Sequence, residues 1–143
     1  VLGNKIFWKG IKSYYLKYKD LNASTADFKK VMEEVSGINL TTFFNQWLYQ
    51  PGVLKLEAEW YYDKSETELV LFLKQVQDGK VLIEMPIEIG VNYEENKQKI
   101  QKIQLSGASS KYRIKLENEP TNISLDPNLL VLMNNYIKKI EIK

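Results

Sequence analysis

The sequence predicts an α+β chain in which a three-helix segment over residues 1–52 leads into a β-sandwich over residues 53–143. Three observations predict it. Up to Trp47 the apolar residues recur at three- and four-residue steps, the spacing of a helix face. After Gly52 they alternate every second residue, and β-branched and aromatic types take over. Turn-forming clusters then recur at even spacing and divide the remainder into about seven short strands.

In the first helix, Asn4–Lys19, the residues Phe7, Ile11, Tyr14, Tyr15 and Tyr18 form an apolar face with Lys5, Lys9, Lys12 and Lys17 between them. Asp20 to Ala23 breaks the period. Ser24 or Thr25 then offers the oxygen that caps a second helix, with Asp27 in its first turn near the positive helix end. Phe28, Val31, Met32 and Val35 share one face of that helix, and Gly37 stands where a left-handed residue closes it. A third helix spans Thr41–Tyr49, with Leu40, Phe43, Phe44, Trp47 and Leu48 apolar and Pro51-Gly52 ending it. No Gly/Ser linker follows, so the sequence predicts helices packed on the sandwich rather than tethered to it.

Leu54, Leu56, Ala58 and Trp60 alternate with Lys55, Glu57, Glu59 and Tyr61, and Leu69, Leu71 and Leu73 alternate with Val70, Phe72 and Lys74. Asp78-Gly79 predicts a tight hairpin into a long strand, Val81–Val91. Pro86 cannot donate a ladder hydrogen bond and predicts an edge or a bulge, and Gly90 a second irregularity. Glu94-Glu95-Asn96 makes a turn, Ile100, Ile103 and Leu105 a strand, and Ser106–Ser110 a loop. Tyr112, Ile114 and Leu116, then Ile123 and Leu125, then Ile137, Ile140 and Ile142 complete an antiparallel sandwich of immunoglobulin-like architecture.

The chain of 143 residues contains neither histidine nor cysteine, which removes Ser-His-Asp and Cys-His machinery, paired-histidine zinc motifs and disulfides. Its 20 basic and 18 acidic residues are interspersed, and nothing in that balance calls for nucleic acid. No apolar run approaches the ~20 residues of a membrane span, and Val1–Gly10 lacks the layout of a signal peptide. The opening at Val1, directly into a helix, reads as a cut piece of a longer chain. Composition selects no compartment.

Glu33-Glu34 and Glu94-Glu95 are the adjacent acid pairs; the first reads as a solvated helix face and the second as a turn. The aromatic set Trp8, Tyr14, Tyr15, Tyr18, Phe43, Phe44 and Trp47 reads as core or interdomain packing, because it shares its helical spacing with aliphatic residues. In Trp60-Tyr61-Tyr62 alternation turns one aromatic outward. Lys97, Lys99, Lys102, Lys111, Arg113 and Lys115 read as a solvated sheet face rather than a phosphate track. Asn22, Asn39 and Asn122 each open an N-x-Ser/Thr triplet, which matters only in a glycosylating compartment.

Taken in order, Leu2-Gly3, Phe7-x-x-Gly10-Ile11-x-x-Tyr14-Tyr15, Ser24-Thr25-Ala26-Asp27-Phe28, Val35-Ser36-Gly37-Ile38-Asn39-Leu40 and Phe43-Phe44-x-Gln46-Trp47-Leu48-x-x-Pro51-Gly52 form a connected series. With Ser124-Leu125-Asp126-Pro127, that series resembles the M1, gluzincin-type zinc aminopeptidases. The resemblance implies the end of their catalytic domain followed by their β-sandwich domain, so the partner it implies is the upstream catalytic domain of the same polypeptide. In that family a His-Glu-x-x-His helix and a later glutamate bind zinc, a tyrosine stabilises the transition state, and N-terminal residues are removed from peptides. All those positions would precede Val1, so this chain is assigned no catalytic, cofactor-binding or metal-binding residue, and zinc belongs to the parent enzyme. One position departs: the family often has proline after the glycine at the sandwich entry, where this chain reads Gly52-Val53.

The rival reading is a freestanding sandwich that binds peptide or carbohydrate. Exposure separates the two. A fragment should leave the helical face of Trp8, Tyr15 or Trp47 as an open apolar patch, and a self-sufficient module should cover it.

Overall fold

The structure, a computed structural model, describes residues 1–50, 52–78 and 81–141. It divides into two compact units, Val1–Pro51 and Gly52–Lys143.

In the first unit α1 spans Asn4–Tyr18 and α2 spans Thr25–Ser36. α2 begins at a reciprocal capping box: Ser24 Oγ accepts from the Asp27 amide at 3.2 Å, and the Asp27 carboxylate accepts from the Ser24 amide at 2.9 Å. It closes on Gly37 at φ 70°, a conformation that glycine adopts without cost. α3 spans Thr41–Phe44 and widens into a π-helical turn over Asn45–Tyr49, so the third predicted helix is present with a looser second half. Pro51, the predicted stop, lies outside the described residues.

The unit's core is Met32, Leu40 and Phe44, with Leu2 and Phe28 packed against it. α1 contributes its buried Gly10, where an added Cβ would run into the Met32 thioether, so the missing side chain lets this sulfur close on the helix. Rings extend the packing: Tyr14 meets Phe28 edge-on at 5.1 Å, and Phe28 reaches Phe44 at 6.3 Å. Glu33 is not an idle surface carboxylate, because its Oε1 accepts from the Leu40 amide at 2.7 Å and satisfies a free N–H at the start of α3. Glu34 faces Lys17 of α1 at 3.6 Å.

The second unit contains β1 (Leu54–Asp63), β2 (Glu68–Gln75), β3 (Met85–Asn92), β4 (Gln98–Leu105), β5 (Ser109–Lys115), β6 (Asn122–Leu125) and β7 (Met133–Lys139). They form a four-stranded sheet in the order β5-β2-β1-β7 and a three-stranded sheet in the order β4-β3-β6. Leu54, Leu56, Ala58 and Trp60 of β1 and Leu69, Leu71 and Leu73 of β2 are buried. So are Ile87, Ile89 and Val91 of β3, with Ile103, Leu105, Ile123 and Leu125. Two sheets that alternate in this way bury their apolar faces as an α+β chain ending in a β-sandwich.

Several details differ from the sequence reading. β1 and β7 pair in parallel, Leu54 against Met133 through Trp60 against Lys139, so one pair departs from an otherwise antiparallel arrangement. β2 and β3 are not hairpin partners: they belong to different sheets, and Gly79, half of the predicted turn, lies outside the described residues. Residues 81–84 are not strand. They are held instead by Gln75, whose buried amide accepts from Ile83 N and donates to Ile83 O, both at 2.9 Å, while also donating to Gly107 O at 2.8 Å. One side chain thus imitates a strand neighbour.

Pro86 does sit at a local edge: β3 is the central strand, but β6 pairs only with Ile89–Asn92 and leaves Pro86 one neighbour. At Gly90 the ladder is continuous, so no second irregularity occurs there. The glycine serves close approach instead, since a Cβ would stand 2.5 Å from Ser124 Oγ and 2.8 Å from Gln98 Nε2. The last strand begins at Met133, earlier than expected, and Ile142 lies outside the described residues.

Candidate docking surfaces

The aromatic set of the helical unit splits between two arcs. Tyr14, Tyr18 and Phe44 turn inward, with Tyr14 and Tyr18 in ring contact at 5.2 Å. Trp8 and Tyr15 turn outward, 64% and 63% exposed, and Leu16 lies exposed beside Tyr15. At 100° per residue Trp8, Ile11 and Tyr15 fall along one ridge of α1, next to the stripe that faces α2. Trp47 is half-buried, while Leu48 and Tyr49 after it are exposed.

The ridge continues into a concavity. Trp8 packs edge-on against Phe7 at 5.3 Å, and Phe7 lines a groove of about 340 Å³ with Phe28, Met32, Leu40, Phe43 and Phe44. Apolar walls with no charged side chain offer no acid, base or nucleophile; what such a groove can do is accept an apolar side chain.

The other predicted candidates do not converge. Glu94 and Glu95 lie in a short 3₁₀ turn, Glu95 at φ 58°, paired with Lys97 at 2.6 Å. The six basic residues do not share one face, because β4 and β5 belong to different sheets. Most are committed to carboxylates: Lys99 to Glu117 at 3.2 Å, Lys102 to Glu88 at 3.5 Å, Arg113 to Glu68 at 2.9 Å and Lys115 to Glu68 at 3.4 Å. Arg113 and Lys115 hold the Glu68 carboxyl below its ordinary pKa. Lys111 lies 5.2 Å over the Phe72 ring. Trp60 is the inward member of its triplet, and Tyr61 faces the other way, 6.3 Å from Phe72.

Among the described residues, Gln75 and Asp126 are buried polar side chains that organise their loops; the sequence reading quoted Asp126 in its series but gave neither side chain a role. Asp126 Oδ1 accepts from Leu130 N at 3.0 Å, and its Oδ2 accepts from Val131 N at 2.8 Å. The available signal was positional. Gln75 falls on the inward register of β2, and an Asp before Pro-Asn is a typical side-chain-to-backbone turn former.

Among the described residues, no three acidic side chains converge as metal ligands, and the chain has no histidine or cysteine to replace them. The zinc of the resemblance therefore does not fit residues of this chain. Among the described residues, no helix is long and apolar enough to cross a membrane.

No protein-family model matches the chain. Aminopeptidase N of Lactococcus lactis subsp. lactis is 30% identical over 92 residues, which cover 64% of this chain and 11% of that protein. Aminopeptidase M1-C of Oryza sativa subsp. japonica is 33% identical over 89 residues, covering 62% of this chain and 10% of that protein. The chain thus spans about a tenth of the length of these curated relatives. The crystal structure of Legionella pneumophila aminopeptidase A in complex with aspartic acid superposes with a TM-score of 0.73 at 17% identity, over 99% of this chain and 16% of that one. At that identity the superposition establishes the fold.

Proposed function

We propose that this chain, a segment of the M1 aminopeptidase family, is a non-catalytic C-terminal portion of a longer zinc-dependent aminopeptidase, where it braces the catalytic domain. The observation that carries the reading is the open apolar arc of the helical unit. Trp8 and Tyr15 are mostly solvent-exposed, and Phe7 leads from them into the groove beside Phe43. An apolar ridge that runs into an apolar groove is a surface built to be covered. Residues 1–52 would complete the catalytic domain, and residues 53–143 would form the sandwich beside it.

The parent would remove N-terminal residues from peptides, and when bound its zinc would activate the attacking water. Its ligands and the general base are assigned to residues outside this chain. No step of the hydrolysis passes through residues 1–143.

The test is to read the coding sequence upstream of Val1 and to purify the product of the whole frame. The expected result is an uninterrupted frame with a His-Glu-x-x-His helix and a later glutamate, whose product loses aminopeptidase activity to a chelator and regains it with zinc. A start signal immediately before Val1, with no such motif, would overturn the reading.

A further inference from the structure

Opposite charges that stand directly across a ladder pair with each other at two places in the sandwich. Glu68 meets Lys115 at 3.4 Å between β2 and β5, and Glu88 meets Lys102 at 3.5 Å between β3 and β4. The outer face of the four-stranded sheet repeats the arrangement twice, with Glu57 across from Lys74 and Glu59 across from Lys138, and there neither pair closes. Among the described residues, these four exposed side chains form no ion pair and no hydrogen bond. They line one concavity of about 760 Å³ with Phe72 and Tyr136.

The register arranges these six side chains as a cross. Neighbouring strands lie about 4.8 Å apart and residues two along a strand about 6.8 Å apart, so Lys74 on β2 and Lys138 on β7 are separated by about 12 Å. The line between them crosses β1 midway between Glu57 and Glu59, and the line from Phe72 to Tyr136 crosses at the same point. The centre of the cross thus lies among two carboxylates and two rings, all of which attract a cation. An ammonium group stands at each end of the first line. Other nearby charges are committed, Lys111 to the Phe72 ring at 5.2 Å and Lys55 to Asp78 at 2.8 Å.

We infer that this face binds a free, extended peptide that carries a basic side chain at its middle and an acidic side chain two residues to either side. Alternation along an extended chain puts all three side chains on one face of the peptide. Its two acidic residues then stand about 13 Å apart, close to the separation of Lys74 and Lys138, and the basic residue falls over Glu57 and Glu59. A polyanion such as nucleic acid or an anionic lipid surface would meet the two glutamates at the centre, and a simple cation would meet the lysines at the ends. A second copy fits poorly, because one concavity does not fill another. The source of the ligand rests on the reading given under Proposed function, which sets the polypeptide among free peptides; the binding rests on this face alone.

The test titrates the full-length polypeptide with acetyl-Glu-Ala-Lys-Ala-Glu-amide by isothermal titration calorimetry, the acetyl group keeping the peptide from being a substrate. The reference is acetyl-Lys-Ala-Glu-Ala-Glu-amide, which has the same composition and net charge with the basic residue moved to one end. The first peptide is expected to bind saturably and at least about fivefold more tightly than the reference. Glu57→Gln/Glu59→Gln is expected to erase that preference. Reversing all four charges, in Glu57→Lys/Glu59→Lys/Lys74→Glu/Lys138→Glu, is expected to transfer it to acetyl-Lys-Ala-Glu-Ala-Lys-amide. Equal affinity for the first two peptides, or a preference that survives in the double variant, would overturn the inference. So would the absence of saturable binding, which is the result for a face covered by the polypeptide itself or by a second copy. Aminopeptidase activity is assayed separately: an active polypeptide that binds neither peptide loses only this inference, and an inactive one that shows the preference loses only the reading under Proposed function.

Discussion

The Tyr18 phenol at the end of α1 donates to Asp27 Oδ1 in the first turn of α2 at 3.2 Å, joining two helices through a carboxylate that already caps one of them. The Ser24 hydroxyl, the Ser24 backbone amide and Tyr18 together hold the Asp27 carboxyl below its ordinary value. A carboxyl that ionises more readily folded than unfolded stabilises fully above its unfolded pKa, and that contribution disappears as pH falls through the folded one. Asp27→Asn should therefore lower the melting temperature most near neutrality, with the two proteins converging on the acid side. Circular dichroism melts across pH measure this; a difference independent of pH would count against the carboxylate as its source.

Gly90 and Ser124 face each other across β3 and β6 with no room for a methyl group. Gly90→Ala should cost roughly 1–3 kcal/mol as overpacking. Ser124 Oγ is buried without a hydrogen-bond partner among the described residues, so Ser124→Ala should cost little and should recover part of the loss in the double variant. Urea unfolding of the four proteins measures the coupling, and strict additivity would contradict the steric account.

Asp126→Ala removes two acceptors from backbone amides and places alanine at positive φ, for an expected loss of about 2–4 kcal/mol. Asp126→Asn keeps one acceptor oxygen and tolerates the left-handed backbone, so it should lose less than half as much. Denaturant midpoints rank the two, and equal losses would mean that the turn does not depend on the side-chain oxygen.

Gln75→Ala should cost about 2–3 kcal/mol, because it strips both Ile83 backbone groups of their buried partner. Hydrogen exchange at the Ile83 amide is the direct measurement. Unchanged protection there would show that another group satisfies it.

The elements that were legible in the sequence are those fixed by local chemistry. Ser24 before Asp27 and Gly37 after Ser36 mark both ends of α2, and the apolar alternation of β1 matches its burial from Leu54 to Trp60. What was illegible depends on distant partners. Asp78-Gly79 signals a turn, but no local residue records that the next strand joins the other sheet. Gly90 carries the same letter whether it makes a bulge or a close approach; the Ser124 hydroxyl and the Gln98 amide decide it. In α1 the apolar residues exceed one face, so spacing alone does not choose which arc is covered. The inward choice follows Gly10, where α2 can approach, and that leaves Trp8 and Tyr15 outside.

The parallel ladder of β1 and β7 sets the timing of assembly. β1 is the first strand of the unit to leave the ribosome and β7 the last, so the four-stranded sheet stays unfinished until nearly all of the unit has emerged. Until then the flank of β1 that will carry Met133–Lys139 is an open row of amides and carbonyls, with Trp60 uncapped by the Lys139 ammonium that later lies 4.9 Å over its ring. Closure waits on the longest-range contact in the unit, which makes its folding slow for its size and puts its greatest exposure to aggregation during synthesis.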